Sequence, residues 1–166
     1  LPNGEVLHVL ASHPTPPGFD GVARRNNHRN HDEVQFWSDY LNQAAYVEDD
    51  SGRGGGLHDD APFLVMGDLN ADPDDASIFR NAIRHLIGHE RVDGGVVPEA
   101  SPARQADYPD LDPDDTSRWG ARIDYVLPAA TVAVDDAGVW RPAPARVPDV
   151  PVSDHFPVWV DVRVGP

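Results

Sequence analysis

The strongest constraint on the fold of this chain is a series of apolar runs that are too short for helices and that each end at a polar or turn-forming residue. Residues 6–13 and 63–66 are such runs, the first ended by Pro14 and the second by Gly67 and Asp68. Apolar runs of about four to eight residues with these boundaries are typical of buried strands. We therefore predict a strand over each of them.

Two segments between the strands have helical spacing instead. Apolar residues recur with the period of a helix over residues 32–47 and 76–87, so we predict a helix at each. Asn30 and Glu33 have the spacing of a capping box, which predicts the start of the first helix beside them.

The second half of the chain is predicted to contain mainly strands. Residues 93–120 are rich in Pro, Asp, Gly and Ser, which predicts a long surface loop of the kind that is often functional. Further strands are predicted over residues 123–127, 131–134, 138–140 and 156–164. This order of elements, in a chain of 166 residues, predicts a single α/β (α+β) domain over residues 1–166.

The composition excludes several classes of function. The chain has no Cys, which removes disulfides, thiolate zinc sites and Cys nucleophiles. It has a formal net charge of -15 and no Lys, and so acidic a surface disfavours binding to the phosphates of long duplex nucleic acid. We predict no membrane span, because no apolar run is long enough to form one.

Four groups of polar residues lie inside or at the ends of the predicted strands. They are His13, the pair Asp68 and Asn70, Asp124, and the segment Ser153-Asp154-His155. Taken singly, most have a simpler explanation, since His is common at loop tips and Asp and Asn form turns. Asp124 is harder to explain in this way, because an acid in a buried strand is costly unless it is paired. Together they supply what hydrolysis of a phosphate ester needs, namely oxygen ligands for a divalent ion, a base for water and donors for the phosphate.

Five blocks of sequence contain these residues and extend over nearly the whole chain. They are His13-Pro14-Thr15-Pro16-Pro17-x-Phe19-Asp20-Gly21, Arg29-Asn30-His31-Asp32-Glu33, Gly67-Asp68-Leu69-Asn70-Ala71-Asp72-Pro73, Arg122-Ile123-Asp124-Tyr125-Val126-Leu127-Pro128 and Ser153-Asp154-His155-Phe156-Pro157-Val158. Their content and order resemble the C-terminal part of the endonuclease/exonuclease/phosphatase superfamily. This superfamily comprises metal-dependent phosphohydrolases related to pancreatic deoxyribonuclease, apurinic endonucleases, neutral sphingomyelinases and inositol polyphosphate phosphatases. The first block resembles a bacterial branch of it.

The resemblance implies part of a layered α/β sandwich, with two packed mixed β-sheets flanked by helices, and Mg²⁺ or Mn²⁺ as the cofactor. In the family an Asn and a Glu from the first half of the domain bind the metal, and nothing upstream of Val6 supplies them here. We therefore expect that the N-terminal portion of the domain is missing from this chain. For the same reason we expect the chain alone to bind a divalent ion weakly.

The resemblance also implies roles for individual residues. Asp68 would orient or deprotonate the attacking water, and Asn70 would help to position that water and the phosphate. Asp124 would hold His155, which would contact the phosphate or transfer a proton. Asp154 would bind the divalent ion directly or through water, and Asp68 and Asn70 are implied as further metal ligands.

Further candidates concern the substrate phosphate. The resemblance implies that His13 donates to the phosphate or to the leaving group. Arg29 and Asn30 belong to a basic and amide-rich cluster and are weaker candidates for phosphate binding. Helix capping by Asn30 and solvation of Arg29 explain these two residues equally well. His28 and His31 have the spacing of a metal pair, but without a third nearby ligand we do not predict zinc.

These features predict a divalent-metal-dependent phosphoesterase that hydrolyses a phosphate mono- or diester by activated water. The substrate is expected to be a small or exposed phosphate ester or a lipid head group. One alternative is a nuclease acting on DNA or RNA, and another is a catalytically inactive binding module of the same fold. An uncovered sheet edge in a partial sandwich predicts self-association. The sequence leaves the localisation open, and the resemblance favours a secreted or cell-surface bacterial protein.

Overall fold

The computed structural model describes residues 1–18, 20–143 and 152–165, so that Phe19 of the first sequence block lies outside the described residues. In chain order the elements are β1 (His8–Ala11), α1 (Arg25–Leu41), β2 (Phe63–Asp68), α2 (Asn81–Ile87), α3 (Pro102–Ala106), β3 (Asp124–Pro128), β4 (Ala133–Val139) and β5 (Val158–Arg163). No described helix has both the length and the apolar character needed to cross a membrane.

The strands form two sheets. The first has the order β1-β2-β3, with β1 parallel to β2 and β2 antiparallel to β3. The second is the antiparallel pair of β4 and β5, and β5 contacts β3 of the first sheet. The predicted α/β fold with two sheets and flanking helices is confirmed. The first sheet is mixed as predicted, whereas the second is antiparallel throughout its described strands.

The topology brings three strand ends to one edge of the first sheet. Because β1 and β2 are parallel, their carboxyl ends lie at the same edge, and β3 runs the other way, so its first residue lies there too. Asp68 ends β2 and is the register partner of Asp124, which begins β3. His13 follows the end of β1 by two residues. The polar groups of the sequence are therefore neighbours in space.

The hydrophobic core supports the strands whose ends carry these polar residues. It joins α1, α2, β2 and β3 in one apolar cluster, in which Val34, Phe63, Val65 and Leu86 are each at most 1% exposed. Burying a side chain of this size stabilises the fold by about 1.5–3 kcal/mol. The α1 and α2 helices pack against each other within this cluster. The loops that follow β1 and β2 are thus anchored on a rigid base.

The α1 helix spans Arg25–Leu41 rather than residues 32–47. Its start is set by Asp20, whose carboxylate accepts hydrogen bonds from two backbone amides of the first turn, each at 2.8 Å. This contact satisfies amides that have no partner within the helix. Asn30 therefore lies well inside the helix, and the predicted capping box of Asn30 and Glu33 is wrong.

The α2 helix is shorter than predicted because the residues before it form turns. It begins at Asn81 rather than at residue 76. The carboxylates of Asp72 and Asp75 each accept a hydrogen bond from the backbone amide two residues further on, at 2.8 and 2.7 Å. Bonds of this kind offer the backbone an alternative to the helix.

Two predictions for the second half of the chain are corrected. The loop predicted over residues 93–120 contains α3, which begins after Ser101, whose hydroxyl accepts a hydrogen bond from the backbone of Arg104. The strands predicted over residues 131–134 and 138–140 are one strand, β4. The pairing of β4 with β5 shifts register between Val134 and Asp136, so that Asp135 and Asp136, which lie between the two predicted strands, belong to the same strand.

Candidate active site

Three side chains converge at the edge of the first sheet. Asp68, Asp124 and His155 each offer one ligand atom, and these atoms all lie within 4.8 Å of one another. The three side chains are between 20% and 27% exposed. The cluster is therefore open to solvent on one side, while protein on the other side reduces the screening of its charges.

Asp124 fixes the orientation of His155. Nδ1 of His155 lies 2.8 Å from Oδ2 of Asp124, and since an ionised carboxylate only accepts, Nδ1 carries the hydrogen. Burial by itself would lower the pKa of His155. The hydrogen bond to Asp124 and the charges of Asp124, Asp68 and Asp154 outweigh it and raise the pKa above its ordinary value. The imidazole is therefore more easily protonated than an exposed one, and its Nε2 lies 4.0 Å from Oδ2 of Asp68.

One oxygen of Asp68 is held by the backbone, and the other faces two imidazoles. Its Oδ1 accepts a hydrogen bond from the backbone N–H of Asn70 at 2.9 Å, and its Oδ2 lies 3.4 Å from Nε2 of His13. Burial first, and then the charge of Asp124, raise the pKa of Asp68. The Asn70 amide and the two imidazoles oppose that rise without cancelling it. Asp68 is therefore more basic than an exposed aspartate.

Asn70 connects the two loops that carry His13 and Asp68. It has a φ of 49°, a left-handed conformation that Asn adopts more easily than most residues. This conformation lets its Nδ2 donate to the carbonyl oxygen of Pro14 at 3.1 Å. His13 itself is 69% exposed in its side chain, so it lies at the rim of the cluster.

Asn30 is placed differently from the prediction. It is 2% exposed, and its Nδ2 donates to the carbonyl oxygens of Thr15, Leu69 and Asn70 at 3.1, 3.0 and 3.2 Å. Its amide is therefore used by the backbone and is not free for a substrate phosphate. The neighbouring Arg29 is exposed on α1. Asn30 thus supports the loops of the site from below, a role that only the long-range contacts reveal.

Asp154 lies at the rim of the site rather than in the three-residue cluster. Its side chain is 73% exposed, and its Oδ1 is 3.9 Å from Nε2 of His155. Its proposed role as a metal ligand remains a prediction, as does that of Asn70.

The sequence analysis missed three residues of the predicted loop that contact the site. Arg118 lines a cavity of about 460 Å³ that also includes Asp68, Asp124 and His155. Trp119 packs edge-on against the imidazole of His155, with ring centroids 5.3 Å apart. Thr116 accepts hydrogen bonds from the backbone of the two segments that carry Asp124 and His155, as described below. The unusual length of the loop was the only signal in the sequence that could have pointed to them.

Two carboxylates and an imidazole that meet at one sheet edge form a possible site for a divalent ion. A sequence model described as the Endonuclease/Exonuclease/phosphatase family matches residues 5–155, and the chain belongs to this family. The comparison with curated proteins found no match.

A comparison with solved structures found a partial similarity. The similar structure is an endonuclease/exonuclease/phosphatase from Beutenbergia cavernae DSM 12333, with 21% sequence identity and a TM-score of 0.49. The match covers 95% of this chain and 36% of that chain. This chain therefore spans little more than a third of the length of the solved protein.

Proposed function

We propose that this chain carries the catalytic residues of a divalent-metal-dependent phosphoesterase, which hydrolyses a phosphate mono- or diester with an activated water. The observation that carries the proposal is the convergence of Asp68, Asp124 and His155, whose ligand atoms lie within 4.8 Å of one another. Membership of the endonuclease/exonuclease/phosphatase family supports the same class of reaction.

The donors of the cluster fit a hard divalent ion. Asp68 and Asp124 supply carboxylate oxygens, which Mg²⁺ and Mn²⁺ prefer, and we propose Asp154 and Asn70 as further oxygen donors. The raised pKa of Asp68, caused first by burial and then by the charge of Asp124, indicates negative charge that a cation would offset. When bound, the ion would stabilise the charge that develops on the phosphoryl oxygens.

Asp68 is the proposed base for the attacking water. Because the backbone N–H of Asn70 occupies Oδ1, the proton of the water would pass to Oδ2. A carboxylate within hydrogen-bond reach of the attacking water can accept its proton. Asn70 holds the carboxylate in one orientation, so the base and the water meet at a defined place.

The cationic and imidazole groups are the proposed donors to the phosphate. His155, oriented by Asp124 through Nδ1, would direct a protonated Nε2 at the phosphate or transfer its proton. His13 would donate to the phosphate or to the leaving group from the rim of the site. We propose that Arg118, which lines the same cavity as Asp68 and His155, neutralises phosphate charge in place of the exposed Arg29.

The proposed substrate is a small or exposed phosphate ester or a lipid head group. A second cleft of about 720 Å³ begins at His13 and continues along α1. Its described lining includes the rings of Phe36 and Trp37 and the acids Asp32 and Glu33, but no Arg. Such a wall accepts an apolar or cationic leaving group and repels the further phosphates of a nucleic acid strand. The net charge of -15 supports the same preference.

Hydrolysis assays with Mg²⁺ and Mn²⁺ test the proposal. The substrates are p-nitrophenyl phosphate, bis-p-nitrophenyl phosphate, phospholipids and plasmid DNA. Asp68→Asn and His155→Ala should each lower kcat by about two or more orders of magnitude. The matched controls, Asp50→Asn and His85→Ala, change an exposed acid and an exposed imidazole away from the site and should retain activity. EDTA should abolish turnover.

The outcomes separate the alternatives. Turnover of both site variants within a few-fold of wild type would contradict the proposed residues. Efficient nicking of plasmid DNA at physiological salt would favour the nuclease. A folded wild-type protein that binds a divalent ion but hydrolyses none of the four substrates would favour the inactive binding module.

We also propose that the chain self-associates through β1. Among the described strands β1 pairs only with β2, which leaves its other side without a neighbouring strand. Val9 in β1 and Val6 before it are 56% and 62% exposed. An open apolar edge is a template for pairing with a second copy. Sedimentation velocity should show a dimer that Val9→Lys reduces. A monomer at all concentrations would contradict this proposal.

A further inference from the structure

The hydroxyl of Thr116 holds the start of β3. Thr116 is 1% exposed, and its Oγ1 accepts hydrogen bonds from the backbone N–H groups of Ile123 and Asp124, each at 3.0 Å. A hydroxyl oxygen has two acceptor positions, and both are used here. The backbone of Asp124 is therefore fixed by this side chain.

The backbone of the same residue holds the segment that carries His155. The carbonyl oxygen of Thr116 accepts a hydrogen bond from the N–H of Phe156 at 2.7 Å, and Ser117 forms an antiparallel bridge with His155. Asp124 and His155 are 31 residues apart in the sequence. Thr116 thus connects directly to one of them and, through the following residue, to the other.

Arg141 keeps the segment before Thr116 rigid. Arg141 is 1% exposed, and its guanidinium donates to the carbonyl oxygens of Asp112 and Asp115 at 2.6 and 2.8 Å. It also lies over the ring of Phe156, with its Cζ 5.3 Å from the ring centroid. The backbone beside Thr116 is therefore held in place by Arg141, which fixes the position of Thr116 itself.

We propose that Thr116 is a positioning residue, which sets the separation and orientation of Asp124 and His155. The 2.8 Å bond between these side chains depends on two backbone segments that Thr116 ties together from opposite sides. A misplacement of about 1 Å in a catalytic group costs about a hundredfold in rate. The effect of Thr116 on turnover rests on the proposed function, whereas its effect on the Asp124–His155 bond does not.

The experiment compares Thr116→Val with Thr116→Ser. Val keeps the branched shape and removes the acceptor, while Ser keeps the hydroxyl. Ser117→Ala is the matched control, because Ser117 is 0% exposed and its hydroxyl accepts only from Ala121 of the same turn among the described contacts. The first measurement is the downfield proton resonance of the His155 Nδ1–H in the metal-free chain, assigned by its loss in His155→Gln.

We expect wild type, Thr116→Ser and Ser117→Ala to show this resonance and Thr116→Val to lose it or shift it. In assays with bis-p-nitrophenyl phosphate, Thr116→Val should lower kcat by about ten- to a hundredfold with KM changed by less than about threefold. Thr116→Ser should restore kcat to near the wild-type value. Should Thr116→Val lose its near-ultraviolet circular dichroism, Thr116→Ala, which leaves room for a water, takes its place in every comparison.

Three results would overturn the proposal. One is an unchanged Nδ1–H resonance in a folded Thr116→Val or Thr116→Ala protein. Another is an equal loss in Ser117→Ala, which would indicate general destabilisation of the loop. The last is a wild-type chain without the resonance. A wild type that shows the resonance and the expected variant pattern but hydrolyses no substrate would support the positioning role and contradict the proposed function.

Discussion

Gly67 offers a direct test of how the site is held together. It lies in β2 next to Asp68, its φ is +139°, and a Cβ atom added to it would lie 2.0 Å from the carbonyl oxygen of Ser12. That oxygen belongs to the backbone at the end of β1, so it cannot turn away as a flexible side chain would. Gly67→Ala must therefore separate the carboxyl ends of β1 and β2.

The expected loss of stability follows from two contributions. A side chain forced into a backbone conformation that favours glycine costs about 1–3 kcal/mol. The separation also breaks the hydrogen bond from the Ser12 N–H to the Met66 carbonyl, now 3.2 Å, which contributes about 1 kcal/mol. We expect Gly67→Ala to lower the free energy of unfolding by about 2–4 kcal/mol. His13 would also move away from Asp68.

Urea unfolding monitored by circular dichroism measures this change. The control is Gly21→Ala, because a Cβ atom at Gly21 has nothing within 4 Å and its φ is not in the left-handed region. We expect the control to stay within about 1 kcal/mol of wild type and the slope of the transition to stay unchanged. A Gly67→Ala protein as stable as the control would refute the close approach of the two strand ends.

Three further predictions concern single contacts. In the metal-free chain the pKa of His155 should lie above its ordinary value, and Asp124→Asn should lower it, as measured by NMR titration of the imidazole. Because the pKa of His155 is raised in the folded state, its pair with Asp124 stabilises the fold fully below the unfolded pKa of about 6.5. This stabilisation is lost as the pH rises through the folded pKa, so the urea midpoint should fall over the same pH range. Asn30→Leu should cost about 1–3 kcal/mol in urea unfolding, since one buried and two partly buried carbonyl oxygens lose their donor. Asn26→Leu removes one exposed side-chain bond and should cost less. Tyr125→Phe should lower the free energy of unfolding by about 1–2 kcal/mol, since the hydroxyl lies 2.8 Å from two carbonyl oxygens; an unchanged midpoint would contradict this.

The meeting of polar residues at one sheet edge could be predicted from the sequence because it depends on local signals. The apolar run that ends at Asp68 marked one strand end, and the acid within the apolar run 123–127 marked Asp124 as a candidate, although only the structure shows that β3 begins there. Periodicity and strand boundaries depend on residues that are close together in the sequence, so a single sequence is enough to predict them. The same reasoning located the two main helices, though not their ends.

The polar residues that support the site could not be predicted in this way. Asn30 and Thr116 are buried, yet a buried polar residue carries no periodic signal, and its partners lie far away in the sequence. Asn30 contacts Leu69 at a separation of 39 residues, and its helical position was mistaken for a cap. The start of α1 was missed for the same reason. Its first turns bury the polar side chain of Asn27, which is 5% exposed, so no apolar periodicity marks them in the sequence. Burial of amides is decided by tertiary hydrogen bonds.

The register of β2 against β3 has a consequence for the folding of the site. Asp68 and Asp124 are directly opposite each other, and like charges in that position weaken a pair of strands. The amides at this end should therefore exchange with solvent faster than those at the other end, where Leu64 faces Pro128. A cation that binds between the two carboxylates would remove the repulsion and add to stability by mass action. Protection of the amides at this end of the sheet would then rise with the surrounding cation concentration.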